Sequence, residues 1–118
     1  MVEAYQIHAT LQVLALVSLL VGAYGARKHK LRMHHGSVYT AVVLTTLAVV
    51  LMLYQSGGLP TIHGKVGFSV YLFILVTALS GRLFLGRRLT RNQHRALAFS
   101  AIPLLLVMIL YGLFTFVL

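Results

Sequence analysis

Four long apolar stretches, separated by short polar connections, make up nearly the whole chain. The stretches cover residues 5–26, 33–55, 62–85 and 93–118, and each exceeds the roughly 20 residues that a helix needs to cross a bilayer. The connections, residues 27–32, 56–61 and 86–92, are so short that consecutive helices must run antiparallel. The pattern predicts an all-α membrane protein, an up-down-up-down four-helix transmembrane bundle that forms a single domain over residues 1–118. Thr61 is a suitable N-cap for the third helix.

The charges are concentrated at one end of this predicted bundle. Of the ten Lys and Arg residues, all but Lys65 lie in or beside the first and third connections: Arg27, Lys28, Lys30, Arg32, Arg82, Arg87, Arg88, Arg91 and Arg95. Cytoplasmic loops of membrane proteins carry the excess of basic residues. The sequence therefore predicts an integral protein of a prokaryotic cell membrane, with loops 27–32 and 86–92 cytoplasmic and both termini on the non-cytoplasmic side. Because the charges flank apolar spans, the net charge of +9 does not indicate nucleic acid.

The composition excludes several kinds of chemistry. Hydrophobic residues make up 59% of the chain and charged residues only 9%, far below the roughly one quarter that is usual for soluble domains. Glu3 is the one acidic residue, which leaves no carboxylate pair for hydrolysis and no carboxylate-bridged metal site. Without cysteine, thiol catalysis, iron–sulfur clusters and thioether-linked haem are also excluded. Apolar bulk, basic charge and histidine remain.

Each predicted span carries a histidine near its N-terminal end: His8, then His34 or His35, then His63 and His94. An imidazole buried in hydrocarbon without a partner is costly. In an antiparallel bundle His8 and His63 lie at one level and His35 and His94 at the other, in both cases on diagonal helices. Two imidazoles that face each other across a bundle suit axial ligation of a haem iron. The metals of two such sites lie roughly 20 Å apart.

The residues on the histidine-bearing faces agree with a bound cofactor, although small residues also permit close helix packing. Steps of three and four residues from His8 and His63 reach Gln12, Ala15, Leu19, Gly22 and Ala26 on the first helix, and Gly67, Val70, Ile74, Thr77 and Gly81 on the third. On the second helix, the corresponding stripe from His34 is Val38, Ala41, Thr45, Ala48 and Met52. The side chains of this stripe are slightly smaller than those of the stripe from His35, so periodicity weakly favours His34 as the inward-facing histidine.

Other interpretations of these side chains stay open. Intramembrane histidines also serve as hydrogen-bond partners between helices. Zinc or copper is a weaker alternative, since two histidines without Cys or carboxylate leave the coordination shell incomplete. His29 is expected to be a solvated loop residue. An aromatic belt explains the tyrosines near the span ends, and three cations are candidates for contact with haem propionates: Lys30, Arg32 and Arg95.

Four short segments resemble the four-helix haem core of the cytochrome b561 family: Gln6-Ile7-His8-Ala9, Met33-His34-His35-Gly36, Ile62-His63-Gly64-Lys65-Val66-Gly67 and Asn92-Gln93-His94. Together they span nearly the whole chain. The resemblance implies two non-covalent b haems, one ligated by His8 and His63 and the other by His35 and His94. Its His-Gly step favours His35 over His34. The additional helices that flank this core in many family members have no counterpart in the four predicted spans.

The function expected from these features is transmembrane single-electron transfer by a di-haem b-type cytochrome. Its donor and acceptor are open: quinol, ascorbate, a ferric chelate or a redox protein. The chain could act as a subunit of a larger membrane complex or as a homodimer, and whether it is itself an oxidoreductase is also open. A rival resemblance is to four-span assembly or haem-handling factors for haem-copper oxidases, and a third alternative is a structural accessory subunit without haem.

Overall fold

A computed structural model of the chain contains four long α-helices. It describes residues 4–58, 61–87 and 89–114, and within these ranges the side chains of residues 4, 56, 83 and 84 are not described. The helices are α1 (Ala4–Arg27), α2 (Leu31–Ser56), α3 (Ile62–Leu85) and α4 (Arg91–Gly112). The four predicted helices are confirmed, although residues 115–118 of the predicted fourth span lie outside the described residues.

All four helices are long and apolar enough to cross a membrane. The molecule measures 44 × 23 × 21 Å, and its long dimension matches a bilayer including the headgroup regions, about 40–45 Å thick. Large apolar side chains such as Val43, Leu79 and Val107 are more than half exposed along the helices. In lipid such exposure needs no partner, because the acyl chains are as apolar as the side chains. The fold class is thus that of an all-α integral membrane protein.

The connections contain identifiable helix signals. Gly57 ends α2 in the left-handed conformation, with φ 66°, and its N–H donates a hydrogen bond to the carbonyl oxygen of Leu53. Thr61 accepts a hydrogen bond at 2.9 Å from the Gly64 N–H through its hydroxyl, which confirms it as the N-cap of α3. Thr90 and Gln93 form a reciprocal capping box, and for that reason α4 begins at Arg91, two residues before the predicted start.

The helices are arranged as two antiparallel hairpins that pack side by side. Each helix packs against two others, in the cyclic order α1, α2, α3, α4, so α1 and α3 are diagonal, as are α2 and α4. The closest approach is between α1 and α2, where a Cβ added to Gly25 would lie 3.0 Å from the backbone nitrogen of His34. Small residues at a helix crossing allow this proximity.

The interior is narrow, and its residues differ between the hairpins. The buried residues of α1 and α2 are small: Ala15, Ala41, Thr45 and Ala48. The buried cluster of α3 and α4 consists mostly of larger side chains: Val70, Ile74, Ala101, Leu105 and Ile109. The residues that the sequence placed on the stripes of His8, His34 and His63 are therefore buried or half-buried, except Ala26, which is exposed.

Candidate functional site

His8, near the start of α1, is fixed by the far end of α2. Its Nδ1 lies 2.9 Å from the carbonyl oxygen of Ala48. A carbonyl oxygen only accepts hydrogen bonds, so the Nδ1 carries the proton, and in the neutral ring the Nε2 carries the lone pair. Metal-ligating histidines usually have this arrangement, in which one ring N–H is anchored and the other nitrogen binds.

His34, near the start of α2, makes the reciprocal contact with α1. Its Nδ1 lies 2.9 Å from the carbonyl oxygen of Gly22, which likewise leaves the lone pair on Nε2. Gly22 follows His8 by 14 positions, and Ala48 follows His34 by the same number. The first hairpin therefore has an approximate internal two-fold symmetry, with one anchored imidazole at each end.

His94, at the start of α4, is held by a chain of hydrogen bonds on α3. The hydroxyl of Ser80 donates to the carbonyl of Thr77, so Ser80 Oγ accepts at 2.7 Å from the Nδ1 of His94. The edge of the same ring lies over Gly81, where an added Cβ would be 3.2 Å from the His94 Cε1. Because the Nδ1 of His94 again carries the proton, the lone pair of the neutral ring is on Nε2.

His63, at the start of α3, packs against the end of α4. Its ring is stacked on Tyr111, with the ring centroids 5.4 Å apart and the planes at 8°. A Cβ added to Gly112 would lie 3.0 Å from the Cε1 of His63. Gly81 follows His63 by 18 positions and Gly112 follows His94 by 18 positions. The second hairpin thus repeats the reciprocal arrangement, with glycines making room for both imidazoles.

A cavity of about 330 Å³ lies between the hairpins, and both His8 and His63 line it. Its size falls within the range of small-molecule sites, about 300–1,000 Å³. The remaining walls are mainly apolar side chains from all four helices, and Gly64, Gly67 and Gly112 leave space in them. The carboxamide oxygen of Gln12, one helical turn beyond His8, is buried in this wall and accepts no hydrogen bond from the described residues.

Three histidines meet at the other end of the bundle. The ring of His34 lies 6.3 Å from that of His94, at an interplanar angle of 81°, and 5.4 Å from that of His35. Two nitrogens that share one metal each lie about 2 Å from it, so they are at most about 4 Å apart and their ring centroids at most about 6 Å apart. The spacing of His34 and His94 is compatible with such a pair. These contacts favour His34 over His35 as the partner of His94. The choice of His35 as the ligand rests on the family resemblance and stays a prediction.

The two histidine levels are well separated along the bundle. The 14 positions between His8 and Gly22, which contacts His34, correspond to about 21 Å of helix. On α3, the 18 positions from His63 to Gly81 correspond to about 27 Å. The first length agrees with the separation of roughly 20 Å expected from the sequence, and the second is longer.

The remaining candidate residues lie outside these pairs. His29 is exposed in the first connection, with a positive φ of 59°. Lys30 and Arg32 are exposed at the start of α2, and the Arg95 guanidinium lies over the ring of Phe99, 5.3 Å from its centroid. The end tyrosines Tyr5, Tyr24, Tyr54 and Tyr111 are exposed, as the predicted aromatic belt requires, although Tyr111 also contacts His63.

The donor set can be compared with the haem expected from the sequence. Among the described residues no group of three or more His or acidic side chains forms a metal-binding cluster, whereas axial haem ligation needs only two imidazoles. At one end His8 and His63 border a largely apolar cavity. At the other end His34 and His94 have the spacing of a ligand pair. The residues present therefore fit this cofactor.

Comparisons with known proteins identify no relative: no family model matches the chain, and no curated protein or solved structure matches it.

Proposed function

We propose that this chain is a di-haem b-type cytochrome that transfers single electrons between the two faces of a membrane. His8 and His63 are the axial ligands of one haem. His94 is a ligand of the other, together with His34 or His35. We also propose that the chain is related to the cytochrome b561 core. The basic loops are proposed to lie in the cytoplasm, because cytoplasmic loops carry the excess of positive charge.

The observation that carries the proposal is the repeated anchoring of the histidines at two levels. Three imidazoles, those of His8, His34 and His94, have Nδ1 bonded to a carbonyl or hydroxyl oxygen. Bridging between helices would account for these bonds alone, but not for the proximity of the His34 and His94 rings, whose centroids lie 6.3 Å apart, or for the cavity that His8 and His63 border. The second nitrogen of each ring thereby carries the lone pair, at two depths of the bundle, and two of the three rings, those of His34 and His94, are on the diagonal helices α2 and α4.

The protein's own residues have three tasks in this function. The hydrogen bonds that the ring Nδ1–H groups donate to Ala48, Gly22 and Ser80 fix the tautomer and the orientation of the ligand rings. The apolar walls exclude water and lower the local dielectric, which tunes a reduction potential. When bound, haem supplies a one-electron carrier. The rigid helices would hold the two histidine levels, and with them any bound carriers, roughly 20 Å apart along the bundle axis.

The first test is a reduced-minus-oxidised visible spectrum of the detergent-purified protein, with pyridine haemochrome quantification. We expect a sharp b-type α band and about two haems per chain, the number of histidine pairs. The double variant His8→Ala/His63→Ala should retain about one haem, and His29→Ala, the matched loop control, should retain both. Absence of haem after expression with adequate haem supply would contradict the proposal and leave an assembly or structural role.

A further inference from the structure

An open groove runs along the outer side of the α1–α2 hairpin, and no histidine lines it. Val17 and Val21 of α1 and Arg32, Gly36, Ser37 and Thr40 of α2 line it, and we refer to this surface as the α1–α2 groove. Arg32 lies in the first turn of α2, and Thr40 lies eight positions, or about 12 Å, further along the helix. The groove therefore begins at the basic end of the bundle and continues to the depth of the hydrocarbon.

Gly36 forms part of the groove without a role in internal packing. It is exposed, and a Cβ added to it would have no neighbour within 4 Å. A glycine inside a helix is less favourable than an alanine. At positions 22 and 25 the close contact with α2 explains why a glycine is present. No such contact exists at Gly36, so the space over it is a property of the outer surface.

Among the residues that the structure describes, no acidic side chain is present to balance the charge of Arg32. The one acidic residue, Glu3, precedes α1 in sequence, whereas Arg32 follows its other end. Arg27, Lys28 and Lys30, also exposed, surround the same connection. The compensating anion must therefore come from outside the chain, and basic sites between transmembrane helices at the membrane surface are suited to anionic lipid headgroups.

We propose that the α1–α2 groove binds an anionic phospholipid, with its phosphate at Arg32 and the upper part of one acyl chain over Gly36. The hydroxyl of Thr40 is compatible with an acyl chain because it already donates to the Gly36 carbonyl at 2.8 Å. A second copy of the chain fits less well. A two-fold interface places the same patch on both subunits, and it would bring two Arg32 side chains together without an acid between them.

Native mass spectrometry tests this site. The purified protein is supplied with phosphatidylglycerol or phosphatidylcholine, and the retained lipid is quantified. The wild type should retain phosphatidylglycerol preferentially. Arg32→Gln should lower its retention about fivefold, which corresponds to the loss of one basic residue at an anionic membrane surface. Gly36→Leu should lower retention by filling the groove.

Two control variants separate this site from general charge and volume effects. Arg91→Gln removes the same charge from α4, and Ala23→Leu adds volume to the exposed opposite side of α1; both should retain the lipid as the wild type does. An equal loss in Arg91→Gln, or equal retention of the two lipids, overturns the proposal. The proposal is also overturned if the wild type is a dimer and Gly36→Leu dissociates this dimer without lowering lipid retention, because the groove would then be an interface between two copies of the chain. The haem content serves as an independent readout and should be unchanged in the two control variants, Arg91→Gln and Ala23→Leu.

Discussion

For the histidine side chains, the hydrogen bond at one ring nitrogen decides what the other nitrogen can do. Nδ1 of His34 is bonded to the Gly22 carbonyl at 2.9 Å, and its ring is the one that lies 6.3 Å from His94. The adjacent His35 contacts His34 but lies on the face of α2 that carries the exposed Tyr39. The contacts thus favour His34 as the partner of His94.

Adjacent substitutions decide between the two histidines. We expect His34→Ala to lower the haem content from about two to about one per chain, because it removes an anchored imidazole from the pair. His35→Ala, the neighbouring control, should leave both haems. Pyridine haemochrome quantification on purified variants provides the measurement. The reverse result would assign the ligand to His35, as the resemblance to the cytochrome b561 family implies.

Within the helices, glycines with opposite surroundings have opposite roles. A Cβ at Gly25 would lie 3.0 Å from the His34 backbone nitrogen, whereas one at Gly36 would meet nothing. The first glycine permits the contact between α1 and α2 from which His34 reaches Gly22. The second leaves the fold unaffected and shapes the outer groove.

The two glycines should therefore respond to alanine with opposite signs. Gly25→Ala should lower the free energy of unfolding by about 1–3 kcal/mol, the usual effect of overpacking. Gly36→Ala should raise it by up to about 1 kcal/mol, because alanine is the better helix former. Unfolding curves in mixed detergent measure both values. A Gly25→Ala variant as stable as the wild type would show that α1 and α2 do not approach closely at Gly25, and a loss of stability in Gly36→Ala would contradict the open space over Gly36.

Some of these features were accessible from the sequence because they depend on local pattern. Hydropathy alone located the four spans, and the stripe from His34 contained the residues that the structure buries, Ala41, Thr45 and Ala48. The capping box of Thr90 and Gln93 is also a local signal, but the predicted start of the fourth span missed it. The contacts of His94 with Ser80 and of His63 with Gly112 were not accessible, because they depend on the axial register between helices, which hydropathy does not specify.

The molecule as a whole combines a symmetric arrangement of histidines with an asymmetric distribution of charge. Each hairpin places one imidazole near each end, so the two levels are chemically similar. All basic residues except Lys65, by contrast, lie at the end where α1 meets α2 and α3 meets α4. Under the proposed function the histidines mark two levels of a path through the bundle, and the excess of basic residues predicts that the end carrying them faces the cytoplasm.

Cysteine labelling can test this orientation, since the chain contains no cysteine of its own. Gly86→Cys introduces a thiol at an exposed position of the basic third connection, and Gln55→Cys introduces one in the exposed last turn of α2 at the opposite end. Because basic loops stay on the cytoplasmic side, a membrane-impermeant maleimide should label only Gln55→Cys in intact spheroplasts. In inverted membrane vesicles it should label only Gly86→Cys, and permeabilisation should make both sites reactive. The opposite pattern in the two preparations would reverse the orientation, whereas labelling of both thiols from one side would contradict the transmembrane topology itself.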